Sequence, residues 1–176
     1  RLELTNAVFS ALPTFYMCSL ELPKTVIKQI DKYRKNCLWR GSDINGRGKP
    51  KAAWEMVCIG KQEGGLGVID IEKQNKALLM KILHKFFNKE DIPWVHIVWE
   101  KHYPNGKLPG VFKKGSFWWR DNLKNLQHYK QVVQIQVNSG ETCVFWVDSW
   151  NQQSLEIRLP ELCSFAKKKA ISVATL

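Results

Sequence analysis

At 176 residues, 44% of them hydrophobic and 24% charged, the chain is long enough for one compact domain or two small ones sharing an interface. It has no run of eighteen apolar residues, which argues against a membrane-spanning helix and a membrane partner. Its formal net charge of +11 points instead to a polyanion: from Lys24 to Lys61, ten Lys or Arg stand against Asp31, Asp43 and Glu55, a local net of +7.

In chain order, residues 3 to 20 place Ala7, Val8, Ala11, Leu12 and Phe15 at helical spacing, with Pro13 expected to end or kink the helix. A helical pattern already under way at residue 1 is expected of a piece of something longer. "LPKTVIKQIDKYRKNCLW" (22–39) predicts an amphipathic helix opening at Pro23. Val26, Ile30, Tyr33 and Cys37 make one apolar face, and Lys24, Lys28, Lys32 and Lys35 recur at one-turn spacing on the opposite side. "RGSDINGRGKPK" (40–51) predicts an exposed basic loop, and "AAWEMVCI" (52–59) either a helical turn or a short strand. Leu78, Leu79, Ile82 and Phe86 mark another helix, and Pro93, Val95, Val98, Trp99 and His102 the next. Ser116 is expected to cap a helix beginning "FWWRDN". From Val132 the pattern alternates, and "VVQIQVNSGETCVFWVDSW" predicts a β-hairpin around its polar centre. The tail from Leu159 predicts a short helix and an extended end.

The densest glycine cluster, "KQEGGLGVID" (61–70), lacks the features of a nucleotide loop. Position 70, where a dinucleotide fingerprint needs glycine, is Asp70; no Gly-Lys-Ser/Thr follows; and "VIDI" predicts extended backbone in place of helix amides. A turn with left-handed glycine is expected. The five cysteines (18, 37, 58, 143, 163) form no CxxC pair and the four histidines no HxxxH pair, so no metal site is assigned and free thiols in a reducing compartment are expected. Asp70, Asp121 and Asp148 form no recognisable pair, Asp91 is expected to cap a helix, and no catalytic residue is assigned. Trp94 and Trp99 are expected in the core, at most one of Trp118 and Trp119 points inward, and Trp146 and Trp150 are expected to cap the β element.

The functional lead is therefore the lysine stripe. Lys24, Lys28, Lys32 and Lys35 at one-turn intervals can track a phosphate backbone, with Arg47, Lys49 and Lys51 extending the footprint, and such contacts tolerate any sequence. The competing reading is an ordinary solvated helix face.

Two arrays carry a family resemblance: Trp54…Cys58…Lys61…Gly64-Gly65-Leu66-Gly67…Asn75…Ala77-Leu78-Leu79, and Gly140…Phe145-Trp146…Asp148…Trp150. In this order, over essentially the whole chain, they resemble the region just after the polymerase active site of LINE-type non-LTR retrotransposon reverse transcriptases, especially plant ones. The resemblance implies a mainly α fold with a small C-terminal β-hairpin: a thumb-like basic helical region over 1–62, a helical connector over 63–130, and a small mixed element over 131–176. It further implies a non-catalytic part of an RNA-directed DNA polymerase that grips RNA/DNA primer–template. The polymerase palm with its Asp-Asp motif and Mg²⁺ would lie upstream and a zinc-binding module downstream, so no cofactor is expected in this fragment. A nuclear site of action is expected for the parent element. The alternative is a structural or protein-interaction relic of a decayed retroelement, without nucleic-acid binding.

Overall fold

The structure, a computed structural model, describes residues 1–41, 49–103, 115–151 and 153–176. It is mainly helical. Helix α1 (Leu2–Leu4) runs into a π-helical turn over Thr5–Phe9, and α2 (Thr14–Met17) restarts after Pro13, so the proline breaks the first helical pattern as expected. There follow α3 (Lys24–Trp39), α4 (Trp54–Val57), α5 (Ile71–Phe87), α6 (Pro93–His102), α7 (Phe117–Leu123) and α8 (Leu126–Val132). Strands β1 (Ser149–Trp150) and β2 (Gln153–Ser154) pair antiparallel, and α9 (Leu155–Arg158) and α10 (Pro160–Ser164) precede a final 3₁₀ turn at Val173–Thr175. No helix among the described residues is long and apolar enough to cross a membrane.

Two compact units form, Arg1–Leu79 and Met80–Leu176, with the division inside α5. In the first, Met17, Ile27 and Ile71 are buried, with Leu22, Ile30 and Leu78 packed against them. Asn75 closes this unit with a fully buried amide. Its Oδ1 accepts from the Leu22 amide at 2.8 Å, and its Nδ2 donates to the carbonyls of Met17 and Leu20, each at 2.9 Å. One polar side chain thus supplies partners to three backbone groups at the end of α2 and in the turn to α3.

The second unit has an aromatic core. Phe86 is wholly buried and stacks on Trp99 with ring centroids 4.5 Å apart, while the Trp119 ring lies 4.6 Å away, tilted. Both indoles find acceptors: Trp119 Nε1 donates to Tyr103 Oη at 2.9 Å and Trp99 Nε1 to the Phe86 carbonyl at 3.0 Å. Of the adjacent tryptophans only Trp119 is fully buried, as helical geometry requires. Ser116 caps α7, its Oγ accepting from the Trp119 amide at 3.3 Å. Asp91, in contrast, is no cap: it is exposed and sits 2.9 Å from His96 Nε2, while Asp70 caps α5 through the Lys73 amide at 3.1 Å.

The small β element lies elsewhere than its alternating pattern predicts. The hairpin forms at Ser149–Ser154, around Asn151 with its left-handed φ of +50°, and not around Ser139-Gly140. Residues 143–145, expected to pair with 133–137, pair with the C-terminal segment instead. Val144 bridges Ser172, the Phe145 amide donates to Ile171 at 3.1 Å, and Val173 donates to Cys143 at 2.9 Å. Asp148, buried, organises the turn before the hairpin: its Oδ2 accepts from the Val144 amide at 2.6 Å, and Lys130 Nζ lies 2.5 Å from its Oδ1. Trp150 Nε1 ties the turn to the Phe145 carbonyl at 2.7 Å.

Candidate nucleic-acid interface

Helix α3 carries the predicted lysines, and its orientation follows from one buried cation. Arg34 is completely buried. Its Nη1 donates to Asp31 Oδ1 at 2.7 Å, and its Nη2 donates to Ser10 Oγ at 2.9 Å and to the Ile69 carbonyl. The guanidinium carbon also lies 5.3 Å from the Trp54 ring centroid. A buried charge is costly unless it is paired and hydrogen-bonded, and here three separate segments supply those partners. The inward stripe of α3 is thus centred on Ile27, Ile30 and Arg34.

This corrects the apolar face expected at Val26, Ile30, Tyr33 and Cys37. Tyr33 is 65% and Val26 41% exposed, on the flank of the helix. The helix is rotated because the Arg34 network and the Ile27 contact outweigh what a solvent-facing Tyr33 loses. At 100° per residue the lysine stripe then sits roughly 120° from the inward stripe, not diametrically opposite.

Lys24, Lys28 and Lys32 are all exposed, and among the described residues none of them is held in an ion pair. Lys24 does contribute to holding the Glu72 carboxyl below its ordinary range, a shift led by the hydrogen bond and charge of Lys76. Lys35 is half-buried, its Nζ 5.4 Å from the Trp54 ring centroid, so an aromatic face already engages it. Lys49 and Lys51 are exposed and outside any helix, while Arg47 lies outside the described residues. Sequence reading counted Arg34 only as one more basic charge. The signal that finds it is the Asp31–Arg34 i,i+3 pair on the same face as Ile27 and Ile30.

The glycine cluster is a turn. Gly64 and Gly67 take left-handed φ values of +86° and +67°. The amides of Gly65, Gly67 and Val68 donate to the carbonyls of Gly60, Ile59 and Val57 at 3.1, 2.9 and 3.2 Å, so they do not converge on an open anion site. Gly65 is compelled by packing, since a Cβ there would fall 2.1 Å from the Ile59 carbonyl oxygen. The segment's role is to present the Ile69 carbonyl to Arg34 and the Asp70 cap to α5.

The second unit holds a cleft of about 370 Å³ lined by His84, Phe87, Tyr129, Lys130, Cys143 and Asp148 among others. Its groups are poised for structure, not reaction. Burial and then the charge of Asp148 push the Cys143 thiol up, and the same two causes push Tyr129 up to about 12. Lys130 is tied to Asp148, and Tyr129 Oη lies 3.3 Å from His84 Nδ1. In the first unit burial, partly opposed by Arg34, pushes the Cys58 thiol up to about 11, which keeps it protonated and unreactive at neutral pH.

No family model and no solved structure matches the chain. Two proteins of Arabidopsis thaliana do. One, provisionally named a ribonuclease H protein, is 31% identical over 159 residues, covering 85% of this chain and 25% of its own length. The other, an uncharacterized mitochondrial protein, is 23% identical over 143 residues, covering 80% of this chain and 92% of its own length. The chain is thus a homologue of plant proteins, and spans a quarter of the length of the first of them.

Proposed function

We propose that the chain is a non-catalytic part of a longer retroelement-derived protein of reverse-transcriptase type, and that it holds primer–template nucleic acid through the exposed face of α3. Relatives of the kind described are typical of retroelement-derived reading frames. The observation that carries the binding role is the exposed lysine row Lys24, Lys28 and Lys32, outside any ion pair among the described residues, on a helix whose inward stripe is pinned by Arg34. Pinning matters because lysines spaced about 6 Å along the axis of a held helix meet phosphates without ordering the helix first. Lys49 and Lys51, with Arg47 between them and α3 in sequence, would add sequence-tolerant contacts. Fluorescence anisotropy with a labelled RNA–DNA hybrid tests the reading: the chain binds, and Lys24, Lys28 and Lys32 together changed to Gln weaken it.

A second reading, an interaction segment without nucleic-acid affinity, is favoured by one observation. Leu12 and Phe15 are 67% and 80% exposed in the first unit, and Tyr16 stands beside them. It requires strong binding of a hydrophobic dye that added nucleic acid leaves unchanged, together with no hybrid binding.

A further inference from the structure

The stretch Gln131–Gly140 contains no charged residue in a chain of net charge +11. Its flanking charges are engaged, Lys130 by Asp148 and Glu141 by Lys89. Within it, Gln134 to Val137 have no backbone hydrogen-bond partner among the described residues, and no regular structure. The backbone enters the stretch extended, with Val133 at φ −85° and ψ 132°. The intrachain partner that alternation predicts, residues 143–145, is occupied by residues 171–173. A strongly β-prone segment, exposed at Gln134, Gln136 and Val137 and half-buried at Val133 and Ile135 along the cleft of the second unit, is therefore left with a free backbone edge.

The segment Val133-Gln134-Ile135-Gln136-Val137 reads the same in both directions. Antiparallel pairing of two copies about a two-fold axis at Ile135 sets Val133 against Val137, Ile135 against Ile135, and Gln134 against Gln136. Valines and isoleucines share one face of the ribbon and the glutamine amides the other. The register is also selected. The Val133 amide already donates to the Tyr129 carbonyl at 3.0 Å, so Val133 is unable to sit in a hydrogen-bonded pair. Placing Ile135 in a non-hydrogen-bonded pair leaves Val133 out of the ladder and makes Gln134 and Gln136 exchange bonds reciprocally, using their free amides and carbonyls. In that register the two Ile135 side chains stand at the closest cross-strand separation.

We infer that residues 133–137 form an isologous dimer contact, with a second copy of this chain as the partner. Absence of charge in the segment lets two strongly cationic chains meet there without like charges in the ribbon.

Sedimentation velocity of the full chain over a concentration series tests the inference. The wild type shows a reversible monomer–dimer equilibrium. Ile135→Lys sets two ammonium groups face to face at the axis and gives monomer, and Ile135→Glu does the same with carboxylates. Mixing these two variants restores a heterodimer, because the pair now attracts across the axis; circular dichroism confirms helix content in each variant alone. A wild type that stays monomeric at its highest soluble concentration overturns the inference. So do open-ended assemblies, a dimer indifferent to Ile135→Lys, or a mixture that fails to associate.

Discussion

Arg34 Nη2 donates to the backbone carbonyl of Ile69, joining the lysine-bearing helix to the exit of the glycine turn 35 residues later. The contact explains why the most cationic helix of the chain holds a defined orientation. It also gives the glycine cluster a purpose, since the turn exists to bring that carbonyl to a buried guanidinium. Arg34→Met keeps much of the volume but strands Ser10 Oγ and the Ile69 carbonyl without a donor. A loss of about 1–3 kcal/mol in unfolding free energy is expected from urea denaturation. A variant as stable as wild type would show that the network contributes nothing net.

Gly64 and Gly65 are adjacent but constrained for different reasons, so alanine separates them. Gly64 has open space around it and a left-handed φ, and Gly64→Ala is expected to cost about 1 kcal/mol through backbone strain alone. Gly65→Ala drives a methyl into the Ile59 carbonyl and displaces backbone, with a larger loss, about 1–3 kcal/mol beyond that, expected in the same denaturation assay. Equal losses would contradict the packing argument.

Helix positions were legible where spacing alone decides them. Pro93 opening α6, Ser116 capping α7, and the stripe through Leu79, Ile82 and Phe86 all appear where the sequence places them. The rotation of α3 was not legible, because it depends on partners 24 and 35 residues away from Arg34 that periodicity does not register. The β-hairpin was misplaced for a related reason. Alternation marks strand-prone residues without naming their partner, and the C-terminal segment 171–173 took residues 143–145. Of the two arrays that carry the family resemblance, Gly65, Asn75 and Asp148 are packing and hydrogen-bonding residues. They act by holding the fold, and the lysine row stands apart from them.

Tyr129 supplies a pH signature. Its phenol is raised to about 12 by burial and by Asp148, against about 10 in an unfolded chain. The neutral phenol is the form the fold favours, so this contribution is fully present below about pH 10 and is lost as pH rises toward 12. Spectrophotometric titration of tyrosinate absorbance is expected to show the transitions of buried Tyr103 and Tyr129 displaced to higher pH in the native protein than in the denatured chain. Stability measured by denaturant should decline over the same interval. A native titration superimposable on that of the denatured chain would contradict the buried placement of Tyr103 and Tyr129.

The most direct measurement is the salt dependence of RNA–DNA hybrid binding by the wild type and the Lys24, Lys28 and Lys32→Gln variant. Each phosphate contact on a duplex contributes roughly 0.9 to the slope of log K against log salt concentration, so removing three lysines should flatten the slope by about 2–3. Helix content should be unchanged, because these side chains make no ion pair among the described residues. A wild-type slope indistinguishable from zero, or a slope the triple substitution leaves intact, would contradict a nucleic-acid-holding role for α3.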